Sequence, residues 1–280
     1  MGWSIRLTIL TVLSLIAMLS SAQARTLSEI IRSGELRLCV AGSNYKLYSA
    51  TGRTFARYLG VNPRITHLSS WDQQFQDHHG VTHKPLAYTP ALLADGLCDL
   101  YPNDLVMVPW RLNKMVITPL YATRMTVVVP QATVQGIHTL NDLAGKTAAL
   151  MKGTIYHTWL EKQNNTRFIE NPVVLKFLST NEAIAALSRG DVDFSLLGAD
   201  GAFKQTQKHK MAISVAFPVG PMREVGWATH MEHHQLRSKI STFFTLQHMT
   251  SSPFDHLWEQ YVGIPLTSFN LFITSTAGGR

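Results

Sequence analysis

Apolar and polar positions along this chain switch repeatedly between a helical and a strand period, and the switches mark its elements. Thr26-Leu27-Ser28-Glu29 is a capping box, in which the Thr hydroxyl and the Glu carboxylate satisfy backbone donors at a helix start. Gly34 stops that helix just before the apolar strand 36–40. A helix over 51–58 follows, with Phe55, Tyr58 and Leu59 on one face and Gly60 as its stop, and then a strand over 64–68. Residues 90–94 read as a short helix ended by Gly96, and 98–101 as the next strand. The run 125–129 is continuously apolar and β-branched, as in a strand buried on both faces, and Pro130 closes it. A short helix and turn over 140–146, a strand over 147–151, a helix opened by Gly153-Thr154 through Leu160 and a strand over 173–177 come next. Ser179-Thr180-Asn181-Glu182 is a second capping box, starting an Ala-rich helix that Gly190 terminates before a buried strand over 192–197. The tail offers a strand over 225–228 and helices over 235–247 and 254–262. This alternating series predicts an α/β fold with a mainly parallel sheet flanked by helices. There is no fixed-period repeat and no low-complexity linker.

The chain has 280 residues, 45% hydrophobic and 15% charged, a globular composition that excludes disordered, collagen-like and coiled-coil classes. Residues 1–24 stand apart: Arg6 precedes the apolar run 7–19, and Ser20-Ser21-Ala22-Gln23-Ala24 carries the small-x-small pattern of signal-peptidase cleavage, expected after Ala24. No later segment reaches the ~20 apolar residues of a membrane span, so no membrane insertion is expected after cleavage. With no Cys following the signal to carry a lipid, a free periplasmic or secreted protein is favoured. The signal holds one of the 25 basic residues and none of the 18 acidic ones, which leaves a mature net charge of +6. Lys and Arg are scattered singly rather than gathered in a stripe, which argues against nucleic acid and for an anionic small ligand or an acidic partner. Cys39 and Cys98 lie in apolar strand-like stretches; in an oxidising compartment they are a disulfide candidate, and two buried free thiols are the alternative.

Several motifs then recur in a recognisable order. They are Leu93-x-x-Gly96-x-x-Asp99, Arg111 twelve residues after Asp99, Thr118-Pro119-Leu120-Tyr121, Leu143-x-Gly145-Lys146 with Gly153-Thr154, Glu182-Ala183-x-x-Ala186-Leu187-x-x-Gly190-x-Val192-Asp193, and Trp258-x-x-Tyr261-Val262-Gly263. In this order they resemble the family 3 extracellular solute-binding proteins. The resemblance implies an α/β, two-lobed type II periplasmic-binding-protein fold with two hinge crossings. Its first lobe would take residues 25–124 and return over 228–280, and its second lobe would take 125–227. It also implies a monomer without cofactor or enzymatic activity that closes on a small polar or anionic solute and delivers it to an ABC transporter permease.

Arg111 is the expected ligand anchor, because guanidinium offers a planar fork matched to carboxylate or phosphate. Gly153-Thr154 opens a helix, where free N–H groups and the dipole attract an anion. The resemblance adds Tyr45, Asn103, Asp104 and Asp200 beside the cleft. Departures from the family pattern are equally specific. Val106 and Val108 stand where amino-acid binders have ligand-bonding threonines, and Gly198 stands where they have the ammonium-binding Asp, with Asp200 two positions later. The loop that stacks on ligands is shortened to Tyr45 and Tyr48. A standard α-amino acid is therefore disfavoured, and a carboxylate, another polar solute or no solute stays open. A second reading is a periplasmic accessory factor, since the Cys39 and Cys98 placement resembles binding-protein-like partners of quinoprotein dehydrogenases. A third, enzymatic reading arises because cyclohexadienyl dehydratases share the fold, but the sequence isolates no general acid. The segments Asp77-His78-His79-x-x-x-His83 and His230-x-x-His233-His234 read as solvated loops and helix ends rather than metal sites.

Overall fold

Two long strands organise the chain. In the computed structural model, which describes residues 23–42 and 44–275, β4 (Val116–Pro130) and β8 (Ile213–Thr229) pair antiparallel from Val116 against Thr229 to Pro130 against Ile213. The expected signal segment, apart from Gln23 and Ala24, lies outside the described residues. One end of the pair carries β3 (Tyr101–Val106) beside β8, and the other carries β7 (Phe194–Gly198), β5 (Thr147–Leu150) and β6 (Val174–Phe177) beyond β4, in the order β3-β8-β4-β7-β5-β6. The ladder slips register between Pro119 and Tyr121 and between Thr123 and Met125, so the strands bend and twist as they pass from one lobe to the other. Their backbones come so close there that a Cβ on Gly226 would stand 1.9 Å from the Thr118 carbonyl oxygen.

The sheet is therefore mixed rather than mainly parallel. β5 is parallel to β6 and β7, and β1 (Glu35–Val40) is parallel to β2 (Asn62–His67), but every pairing of β4 or β8 is antiparallel. The cause is the return crossing: a chain that leaves one lobe and comes back beside its own track must run in opposite directions. Pro119 on one strand and Pro218, Gly220 and Pro221 on the other interrupt the apolar patterns, so that each crossing reads in sequence as a shorter segment.

In the first lobe, α1 (Leu27–Ser33) carries the expected capping box, with Thr26 Oγ1 accepting from Glu29 N at 3.3 Å and Glu29 Oε2 accepting from Thr26 N at 2.7 Å. α2 begins at Tyr45 and runs to Tyr58. The short helices α3 (Ala91–Ala94) and α4 (Pro109–Leu112) flank β3, and β1 is joined to the chain entering β3 by the Cys39–Cys98 disulfide, with Cα atoms 5.7 Å apart. In the second lobe lie α5 (Ile155–Thr166) and α6 (Thr180–Arg189); α7 (Ala199–Lys208) lies between the cores, setting Ala199 and Phe203 against the first lobe's and Ala202 against the second's, and the chain returns as α8 (His234–Gln247), α9 (Pro253–Val262) and α10 (Leu266–Thr274). α7 and α10 are not among the helices expected from the sequence pattern.

The aromatic core of the first lobe joins Phe55, Trp227, Phe243, Phe244 and Phe254, with Trp227 edge-on to Phe244 at 4.9 Å. Burying each such ring stabilises by roughly 1.5–3 kcal/mol. The second lobe has its own core on both sheet faces, Val127, Leu160, Phe194 and Phe217 on one and Val128, Ile184, Leu187 and Leu197 on the other. Among the described residues no helix is long and apolar enough to cross a membrane.

Candidate functional site

The two crossing strands leave a groove where α5 begins. Thr123, Arg124 and Met125 of β4 and Pro221 and Arg223 of β8 form one side; Gly153, Thr154 and the α5 face carrying Ile155, Trp159 and Lys162 form the other. Gly198 and Asp200 close one end and Val106, at the end of β3, faces it from the first lobe, enclosing a cavity of about 540 Å³. Its lining sets three cations, Arg124, Lys162 and Arg223, against one carboxylate, Asp200, within otherwise largely apolar walls. Arg124 is fixed by a hydrogen bond from Nε to the Gly220 carbonyl at 3.0 Å, and burial lowers its pKa.

Thr154 is the N-cap of α5: its Oγ1 accepts from His157 N at 3.4 Å and donates to the Met151 carbonyl at 2.8 Å. Gly153 adopts φ 79°, with open space where a Cβ would stand, and donates its N–H to His157 Nδ1 at 3.3 Å. The helix thus caps itself with Thr154, while the N–H groups that open it lack intrahelical partners.

A polar compartment adjoins the cavity at Asp200. Asn44, at the N-cap position of α2 but with its side chain turned to other partners, donates from Nδ2 to Asp200 Oδ2 at 3.3 Å and accepts from the Lys204 ammonium at Oδ1. Asp104 faces the same compartment from β3 in a left-handed conformation, φ 51°, and accepts from the Tyr121 hydroxyl at 3.3 Å. Burial pushes its carboxyl up to about 8, and the Asp200 charge adds to that; Tyr121, Lys204 and the nearby Trp227 indole oppose it, although the indole N–H makes no hydrogen bond of good geometry. Part of Asp104 stays open to the cleft, yet protein encloses it densely enough that it holds a proton near neutral pH. Burial, then Asp104 and Asp200, raise the Tyr48 and Tyr121 phenols in turn.

The residues expected from sequence divide between these places. Gly153, Thr154 and Asp200 line the cavity, and Asp104 stands across the polar compartment from Asp200. Arg111 lies behind the cavity wall, its Nη1 donating to the Val106 carbonyl at 2.9 Å and its guanidinium packed 5.0 Å from the Phe75 ring and 5.1 Å from Trp110. Asn103 is fully buried, bonding Ala41 N, the Cys39 carbonyl and Gln74 Oε1, and so ties β1 to β3. Tyr45 is 40% exposed, its ring 5.1 Å from His67, and the adjacent Asn44 is what reaches α7. Asn44, Arg124, Trp159, Lys162, Lys204 and Arg223 carry no sequence signal, because strand register and lobe apposition bring them together. His78 bonds Asp95 and His83 pairs with Asp77, and the His230 and His233 rings lie 5.0 Å apart; among the described residues no group of three or more His, Cys, Asp or Glu could hold a metal ion.

No family model and no curated protein matches the chain. Solved structures do: a polar amino acid ABC uptake transporter substrate-binding protein from Streptococcus thermophilus matches at a TM-score of 0.69 and 12% identity, over 94% of this chain and 99% of that one. The chain has the two-lobed solute-binding-protein fold. The unliganded, open L-cystine solute receptor of Neisseria gonorrhoeae matches at a TM-score of 0.67 and 14% identity, over 87% of this chain and 99% of that one. An ancestral cyclohexadienyl dehydratase matches at 0.61 and 16% identity, over 85% and 96%. One two-lobed fold thus serves both capture and catalysis, and what this chain does with it rests on its cleft residues.

Proposed function

We propose that the protein captures a small anionic solute with an apolar body between its lobes, in the periplasm, for hand-over to an ABC transporter permease. The observation that carries this reading is the cavity lining: Arg124, Lys162 and Arg223 with the start of α5 for the anionic head, and Val106, Met125, Ile155, Trp159 and Pro221 for the body. Such a ligand touches both lobes and therefore stabilises the closed form selectively. Arg111 supports this wall through the Val106 carbonyl. Transport is supported by the substrate-binding protein and receptor that share the fold.

The test is a thermal-shift screen of the mature protein against short and aromatic carboxylates, sugar acids and oxyanions. A ligand at 100 times its Kd stabilises by about 2.7 kcal/mol. The reading requires at least one carboxylate to raise Tm and Arg223→Ala to remove the rise. Silence to every anion, or a response indifferent to Arg223→Ala, refutes it.

A further inference from the structure

The compartment beside the cavity holds the Lys204 ammonium among polar groups of α2, β3 and α7. Asp200 and Lys204 are four residues apart on α7 and so share a helix face, but the pair does more than decorate that face. Lys204 is part-buried, its ammonium reaches Asn44 Oδ1 in the first lobe, and the same amide donates to Asp200 Oδ2 at 3.3 Å. The Asn44 amide is thereby fixed at both ends, oxygen to the ammonium and nitrogen to the carboxylate. Asp104 brings a second carboxyl from β3, and the Asp200 charge, joined by Asp104 once it ionises, attracts Lys204 against the cost of its burial. Without Lys204, the Asn44 amide oxygen would lose its ammonium partner and Asp200 and Asp104 their nearby cation, next to a cavity large enough to admit a ligand.

We propose that Lys204 is a tethered counter-ion that determines specificity: its ammonium occupies the acid-lined half of the cleft, so ligands bearing an ammonium group are excluded and anions lacking one are selected. The exclusion rests on the cleft being the ligand site, as proposed above. The cation site itself is testable without any solute.

Lys204→Ala should lower Tm, and ethylammonium chloride at tens of millimolar should restore it dose-dependently by a few degrees, relative to sodium chloride at equal ionic strength. Wild type, and Lys204→Ala combined with Asp200→Asn, should show no such rise. Lys204→Ser, which likewise leaves room for the added ammonium, gives the same readout if the alanine variant folds poorly. An ethylammonium effect of equal size in wild type, or none in the single variants, overturns the proposal. Rescue of Lys204→Ala in a protein that answers to no carboxylate would refute anion capture and still establish the counter-ion.

Discussion

Asp99 is a fully buried carboxylate whose partners can be removed one at a time. Arg25 donates from Nε to Oδ1 at 3.0 Å and from Nη2 to Oδ2 at 2.5 Å, and the Arg37 backbone N–H donates to Oδ2 at 2.7 Å. The Asp99 side chain has 0% exposure and that of Arg25 13%, so water does little to screen the pair. Burial nonetheless raises the Asp99 pKa, with Arg25 and Arg37 pulling the other way, which means the carboxylate depends on these donors to stay ionised. Arg25→Ala leaves a charge buried with a single backbone donor, a loss of about 3–5 kcal/mol. The sign with pH follows: without Arg25 the folded pKa rises further above the unfolded one, so the deficit is small near pH 4 and grows as pH rises. Asp99→Asn removes the charge, so adding Arg25→Ala to it should cost much less than in wild type. Urea denaturation followed by circular dichroism at pH 4.5 and 7.5, on both single variants and the double, measures these quantities. A loss below about 1 kcal/mol for Arg25→Ala, or additivity of the two substitutions, would show that the pair behaves as an ordinary surface ion pair and refute the reasoning.

Two further outcomes are expected. The Cys39–Cys98 bridge spans 59 residues, so Cys39→Ser with Cys98→Ser should lower stability by roughly 4 kcal/mol in the chain-entropy model, and dithiothreitol should lower the wild-type urea midpoint while leaving the variant's unchanged. Asp104, with a folded pKa near 8, keeps its proton in the native state while the unfolded chain loses it near pH 4. Wild-type stability from this group therefore falls between those values, by about 1.4 kcal/mol per pH unit, and Asp104→Asn should flatten the decline. Parallel pH profiles for the two proteins would exclude that account.

Local chemistry alone settles much of this chain. Capping boxes at Thr26–Glu29 and Ser179–Glu182 and stops at Gly34 and Gly190 act through bonds within one turn, and they set those helix ends as read from sequence. The ordered motifs likewise point to the two-lobed fold. Thr154 is legible as a helix start, for the same local reason. The antiparallel crossing of β4 and β8 is not legible, because pairing of residues 83 to 113 positions apart depends on register that Pro119, Pro218 and Pro221 obscure locally. Arg111 shows the limit most clearly: spacing from Asp99 marks it as an anchor, but whether a guanidinium faces solvent or packs behind Val106 between Phe75 and Trp110 is decided by neighbours brought in from elsewhere. Arg124, Arg223, Asn44 and Lys204 acquire meaning only when the lobes meet, since the forces joining them act across space between residues the sequence keeps far apart.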